Sequence, residues 1–169
     1  MLKERRTWLL AIATVAALAI ALAACSGGED STGDRQTADL DIDLSGLVIT
    51  MDRVAYCYGF CPSYTITIRE DGSVEYNGVQ DVDVKGIRRD EIELDDVRRL
   101  VQRFEDMGFL ELPEDTGCPV AIIVTTMQLG SRSRSIKHCL ARDETIAQLV
   151  SIEAYIDEIT DSVRWVGTP

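Results

Sequence analysis

With 169 residues the chain has room for one domain and a tail. Its 29 acidic and 17 basic residues leave a formal net charge of −12, which sets it against nucleic acid and anionic lipid headgroups, since both would repel it. A single histidine leaves little room for a Ser-His or Cys-His nucleophilic pair, and no phosphate-cradling glycine loop or zinc spacing is present. The expectation is a protein that is not an enzyme and carries no cofactor.

The first 24 residues read as an export signal outside the fold. Lys3, Arg5 and Arg6 form a positive start, Trp8 to Ala24 is apolar apart from Thr14, and Leu22-Ala23-Ala24-Cys25 closes the run. That motif resembles the lipobox of bacterial lipoproteins. The resemblance implies that Cys25 receives diacylglycerol, carries palmitate-type acyl chains and becomes the mature N-terminus. The competing readings are an ordinary signal peptide with a chance cysteine, and a membrane anchor of marginal length. A lipid anchor places the protein in the cell envelope on the extracytoplasmic side. Because Ser26 rather than aspartate follows Cys25, that means the outer membrane where one exists, and otherwise the outer face of the plasma membrane. Loss of the signal removes +2 (Lys3, Arg5 and Arg6 against Glu4), so the remainder carries −14.

Residues 25–40 are expected to be the lipidated cysteine and a flexible tether, since Ser26 to Thr37 contains no apolar residue. A single domain is expected over residues 41–169. Asp39, Asp41 and Asp43 fit the first ligands of an EF-hand loop, but its sixth and twelfth positions are Leu44 and Thr50, so the segment reads as the approach to a strand. Leu47 to Tyr56 is that first strand. It ends at Cys57-Tyr58-Gly59-Phe60-Cys61-Pro62.

A hairpin follows. Tyr64, Ile66 and Ile68 alternate with Thr65, Thr67 and Arg69. A three-residue loop of Glu70, Asp71 and Gly72 sets Ile68 opposite Val74 and Ile66 opposite Tyr76, which keeps the apolar set on one face. Asn77-Gly78 should end the second arm, and Val79 to Ile87 alternates through Val82 and Val84 as a fourth strand. Val97, Leu100, Val101, Phe104 and Met107 then form one stripe of a helix, with Glu93, Asp95 and Asp96 at its start and Gly108 at its close.

Cys118 to Leu129, apolar on both faces, suits an internal strand, and the polar Arg132 to Leu140 suits an edge. A tight turn at Gly130-Ser131 places Ile136 opposite Thr125 and His138 opposite Ile123. A last helix begins at Asp143, with Ile146, Leu149, Val150, Ile156, Ile159 and Val163 as its stripe and Trp165 packing against the sheet. The order ββββ-α-ββ-α gives an α+β two-layer domain, an antiparallel sheet of about six strands with two helices on one face.

Export permits disulfides. The four cysteines of the mature domain allow three connectivities, and proximity favours Cys57–Cys61 and Cys118–Cys139, although the strand register holds the second pair apart. Three readings compete for Cys57 and Cys61: a structural staple, a redox dithiol, and a Cu(I) site with His138 as third ligand. The C-x-x-x-C-P spacing resembles the motif of the Sco copper chaperones, and soft thiolates suit Cu(I), but no helix follows the motif here. The staple is the leading reading. Tyr58, Gly59 and Phe60 at the loop tip are a candidate binding surface for an envelope protein.

Cys57-x-Gly59-x-Cys61-Pro62-x-Tyr64, then Asp71-Gly72, then Val74-x-Tyr76-x-Gly78, with the helix ending Gly108-Phe109 and the terminal helix with Trp165, resemble a bacterial family catalogued as domain of unknown function 6438. The resemblance spans about Val48 to Val166. It implies a domain of exported proteins and lipoproteins, and it brings no activity with it. Cys118 and Cys139 stand outside the family's pattern.

Overall fold

A computed structural model describes residues 41–54, 61–114, 123–139 and 144–167. The chain divides into the units Met1–Thr37 and Ala38–Pro169, and every described residue belongs to the second. The expected signal segment, Cys25 and the expected tether therefore lie outside the described residues.

Strand alternation builds the centre of the fold. β1 (Val48–Arg53) lies between β2 (Ser63–Arg69) and β5 (Ile123–Leu129). β3 (Ser73–Gln80), β4 (Gly86–Glu91) and β6 (Arg132–His138) complete an antiparallel six-stranded sheet of order β4-β3-β2-β1-β5-β6. The β2–β3 hairpin has the expected register, with Ile68 opposite Val74 and Ile66 opposite Tyr76. Its loop turns at Gly72, whose φ of 82° suits glycine, and Asp71 Oδ1 accepts from the Ser73 N–H at 3.0 Å. The β5–β6 pairing also matches, with Ile136 opposite Thr125 and His138 opposite Ile123.

The fourth strand is not where the alternation put it. β3 runs on through Asn77-Gly78 to Gln80, and β4 starts at Gly86 rather than Val79. Val82 and Val84 sit in the connecting loop and still pack on the core from there. The loop's backbone is held from elsewhere: Asp83 N–H donates to Val166 O at 3.2 Å and Val84 N–H to Trp165 O at 2.9 Å. The period-2 signal was therefore one of burial, and the C-terminal segment supplied the partner that a strand would have needed.

Helix α1 (Leu94–Asp106) buries Val97, Leu100, Val101 and Phe104, with Asp95 and Asp96 in its first turn. Gly108 leads into a short 3-10 turn, Phe109–Glu111. Helix α2 (Glu144–Ile159) buries Ile146, Leu149, Ile152, Glu153 and Ile156, while its expected cap, Asp143, lies outside the described residues. The last helix is interrupted. Asp161 has φ 48°, and a separate turn, α3 (Val163–Val166), follows. Val163, expected on the stripe, is consequently exposed, whereas Trp165 stacks on Tyr76 at 4.9 Å as expected.

Both long helices cover one face of the sheet. Ile49, Met51, Ile66, Ile68, Val74, Tyr76, Met127 and Ile136 share one core with α1 and α2. The opposite face presents Thr50, Thr65, Thr67, Thr126 and Ser135, half-buried, with no helix on it among the described residues. No helix among the described residues is long and apolar enough to cross a membrane.

Candidate functional site

One end of the sheet combines charge with burial. Tyr64, Arg53, Ile123 and His138 form a single cross-strand row on the helix-covered face, and Thr125 lies two residues along β5. Above them α2 places Glu153 and Asp157 one turn apart. Two hydrogen-bonded groups result.

In the first, Glu153 Oε1 accepts from Thr125 Oγ1 at 2.6 Å and from His138 Nε2 at 2.8 Å. His138 Nδ1 lies 3.1 Å from Cys139 O. A carbonyl oxygen only accepts, so Nδ1 carries a proton, and a second proton must sit between Nε2 and the carboxyl. His138, Glu153 and Thr125 all have 0% exposed surface. Burial alone pulls the His138 pKa down. The hydrogen bond and charge of Glu153, with the Cys139 carbonyl, outweigh it and hold the imidazole above its ordinary value.

In the second group Asp157 Oδ2 receives Arg53 Nη2 at 2.8 Å, while Oδ1 accepts from Tyr64 Oη at 2.8 Å and Ser162 Oγ at 2.7 Å. Burial and the neighbouring Asp157 charge push the Tyr64 phenol well above its usual range, so it stays a donor. Burial disfavours the Arg53 charge, but Tyr64, Asp157 and Glu153 together more than restore it. Among the described residues, Arg53 Nε and Glu153 Oε2 are buried without a hydrogen-bond partner, so the two groups meet through charge alone.

A pH dependence follows with a definite sign. The folded His138 pKa lies above the unfolded value near 6.5, so the stability it supplies is complete below about pH 6.5 and is lost as pH rises towards the folded pKa. Facing it are Glu153 from α2, the Cys139 carbonyl and the charge of Arg53 from β1, and it is the chain's single histidine. We expect unfolding free energy to fall between pH 6 and pH 8 by at most about 1.4 kcal/mol per unit, as read by urea unfolding. A flat profile, or one unchanged in His138→Phe, would refute this assignment.

The residues singled out by sequence fare differently. Cys57, Tyr58, Gly59, Phe60 and Cys118 lie outside the described residues. Cys61, buried just before β2, and Cys139, just after β6, are each disulfide-bonded. His138, opposite Ile123 as expected, is fully enclosed, with both ring nitrogens engaged. β2 and β6 stand three strand spacings apart, about 14 Å, which separates the strand that follows Cys61 from the one that carries His138. Among the described residues no three His, Cys, Asp or Glu side chains form a metal-binding group. Asp43 instead closes a local turn, accepting from Ser45 N–H at 2.9 Å and Ser45 Oγ at 2.6 Å.

Sequence reasoning missed Glu153, Asp157, Arg53 and Thr125. A signal existed for two of them. Glu153 occupies a stripe position, seven residues after Ile146 and four after Leu149, and Arg53 shares parity with Ile49 and Met51. A charge at a core position implies a buried counter-charge.

The family model for a domain of unknown function (DUF6438) matches residues 48–160. No curated protein matches the chain.

Proposed function

The chain belongs to the DUF6438 family, whose description assigns no activity, and we propose from its own residues that it is a lipid-anchored, exported binding or structural domain without enzymatic activity. Cys25, acylated after cleavage behind Ala24, holds the domain on the extracytoplasmic side of the envelope. Its partners are the membrane, through that anchor, and an envelope protein; nucleic acid is not among them.

One observation carries the non-enzymatic reading. The single histidine and the carboxyl it faces have no exposed surface; both ring nitrogens are engaged, by Glu153 Oε1 and the Cys139 carbonyl, and the remaining carboxyl oxygen, Glu153 Oε2, is enclosed as well. A general acid or base has to reach its substrate. The same enclosure argues against the alternative, Cu(I) binding or thiol exchange at Cys57 and Cys61 with His138 as an extra ligand. Cys57–Cys61 and Cys118–Cys139 are the proposed staples, which export would keep oxidised.

Two measurements on the full chain test the proposal. In a bacterial host fed a palmitate analogue, we expect the wild type to take up label and fractionate with membranes, and Cys25→Ala to lose the label. Label retained by Cys25→Ala would sink the anchor. Alkylation without reductant, read by peptide mass spectrometry, should modify none of the four domain cysteines and return both linked peptides. Reactive Cys57 and Cys61 would restore the copper and redox alternative.

A further inference from the structure

The two edges of the sheet are finished differently. On β6 the Lys137 N–H donates to Glu114 O at 3.1 Å, and Arg134 Nε donates to Leu110 O at 3.0 Å, so a neighbouring segment covers that edge. Among the described residues, no backbone group hydrogen-bonds to β4 from its outer side. Which groups are left is fixed by alternation. Ile92 N–H continues the inner ladder to Gly72 O at 3.0 Å, so Asp90, Arg88 and Gly86 also face β3. Ile87, Arg89 and Glu91 point their N–H and C=O groups outward.

Exposed strand edges are commonly protected by charged side chains, lysine above all, by proline or by bulges. β4 carries Arg88-Arg89-Asp90-Glu91, two positive charges followed by two negative. Run antiparallel to itself, that sequence attracts. The apolar surface points the same way. Of the five exposed large hydrophobic residues among the described residues, four lie at or near this edge. Ile87 is in β4, and Val79 follows Gly78, the residue paired with Gly86. Leu94 lies just past the end of β4, and Val163 precedes Arg164, which bonds Asp90.

We propose that β4 is a homodimerisation edge, pairing antiparallel with β4 of a second copy about a twofold axis at Arg89. A twofold axis perpendicular to the sheet keeps both helical faces on one side and pairs only residues of like parity. Ile87, Arg89 and Glu91 then meet Glu91, Arg89 and Ile87 of the second copy, and their outward backbone groups pair across the axis once Arg88 Nη1 releases the Ile87 carbonyl, which it holds at 2.7 Å in the single chain. Arg88 falls opposite Asp90 of the second copy, twice. The two Arg89 side chains meet on the axis, each neutralised by its own Glu75 at 3.1 Å. The local edge charge cancels, and at 0.15 M salt the Debye length of about 8 Å screens the repulsion between two chains that each carry −14 once the signal is removed.

The test uses the full chain in mild detergent. Single cysteines introduced at positions 87 to 91 and treated with a short bismaleimide should crosslink best at Arg89→Cys, the only position that meets itself. Arg89→Pro removes an outward N–H and no bond to β3, and should abolish the dimer while leaving thermal unfolding nearly unchanged. Arg88→Asp and Asp90→Arg should each weaken self-association about tenfold, and mixing the two should restore it. A monomer at every concentration up to about 0.1 mM, uniform crosslinking across the five positions, or dimers that survive Arg89→Pro would each overturn the proposal.

Discussion

Glu153→Ala should lower the unfolding free energy by about 3–5 kcal/mol, the largest loss expected from one polar substitution in this domain. Two groups lose their acceptor at once, and a third loses a compensating charge. The His138 imidazole and the Thr125 hydroxyl are both fully buried and both bonded to Glu153 Oε1, and Arg53 loses a nearby negative charge. Against a typical total stability of about 5–15 kcal/mol, such a loss brings the domain close to unfolding at room temperature. The cost comes from stranding the partners, since a buried ion pair adds little over well-packed hydrophobic residues. The double variant His138→Leu/Glu153→Leu should accordingly be more stable than Glu153→Ala. Glu153→Gln, which keeps one acceptor, should fall between the single alanine variant and the wild type. Urea unfolding of the set decides: a loss under about 1 kcal/mol in Glu153→Ala would mean that water reaches the cluster and satisfies it.

The same residues show what one sequence can and cannot reveal. The β2–β3 hairpin and the β5–β6 register were legible to the residue, because each loop is short and a slip of one position would have turned Ile66, Ile68 and Ile136 towards solvent. The stripe of α1 was legible for the same reason. Non-local partners were not. Val82 and Val84 read as a strand because they are half-buried, and only the distant Trp165 and Val166 carbonyls explain why no strand forms. Val163 read as part of a stripe because nothing in its neighbourhood announces the break at Asp161. The buried cluster failed for a related reason. Its members come from β1, β2, β5, β6 and α2, separated by up to 104 positions, and its acidic and basic members each resemble a surface charge when read alone. Glu153 and Arg53 at core positions were the only local trace.

Gly78→Ala is expected to cost about 3 kcal/mol, through space alone. Gly78 lies inside β3, paired with Tyr64 on one side and Gly86 on the other, and its φ is not in the left-handed region, so its backbone conformation suits alanine. The room does not exist. A Cβ there would lie 2.1 Å from Val84 O, 2.7 Å from Tyr76 Oη and 2.9 Å from Val82 Cγ2. Tyr76 Oη donates to the same Val84 oxygen at 3.3 Å, and Tyr76 is fully buried beneath Trp165, so the tyrosine has little freedom to retreat. What yields is the β3–β4 loop. Moving it away strips the Asp83 and Val84 amides from Val166 O and Trp165 O and loosens the C-terminal turn. Gly86→Ala is the matched comparison: its φ is 77° and nothing lies within 4 Å of the added Cβ, so only the left-handed conformation is strained, at about 1–2 kcal/mol. Hydrogen exchange separates the two. Gly78→Ala should expose the Asp83 and Val84 amides well below the global unfolding free energy, and Gly86→Ala should leave them protected. Equal losses in the two variants, with Val84 still protected in Gly78→Ala, would show that the loop can move at little cost and that the C-terminal segment does not clamp it.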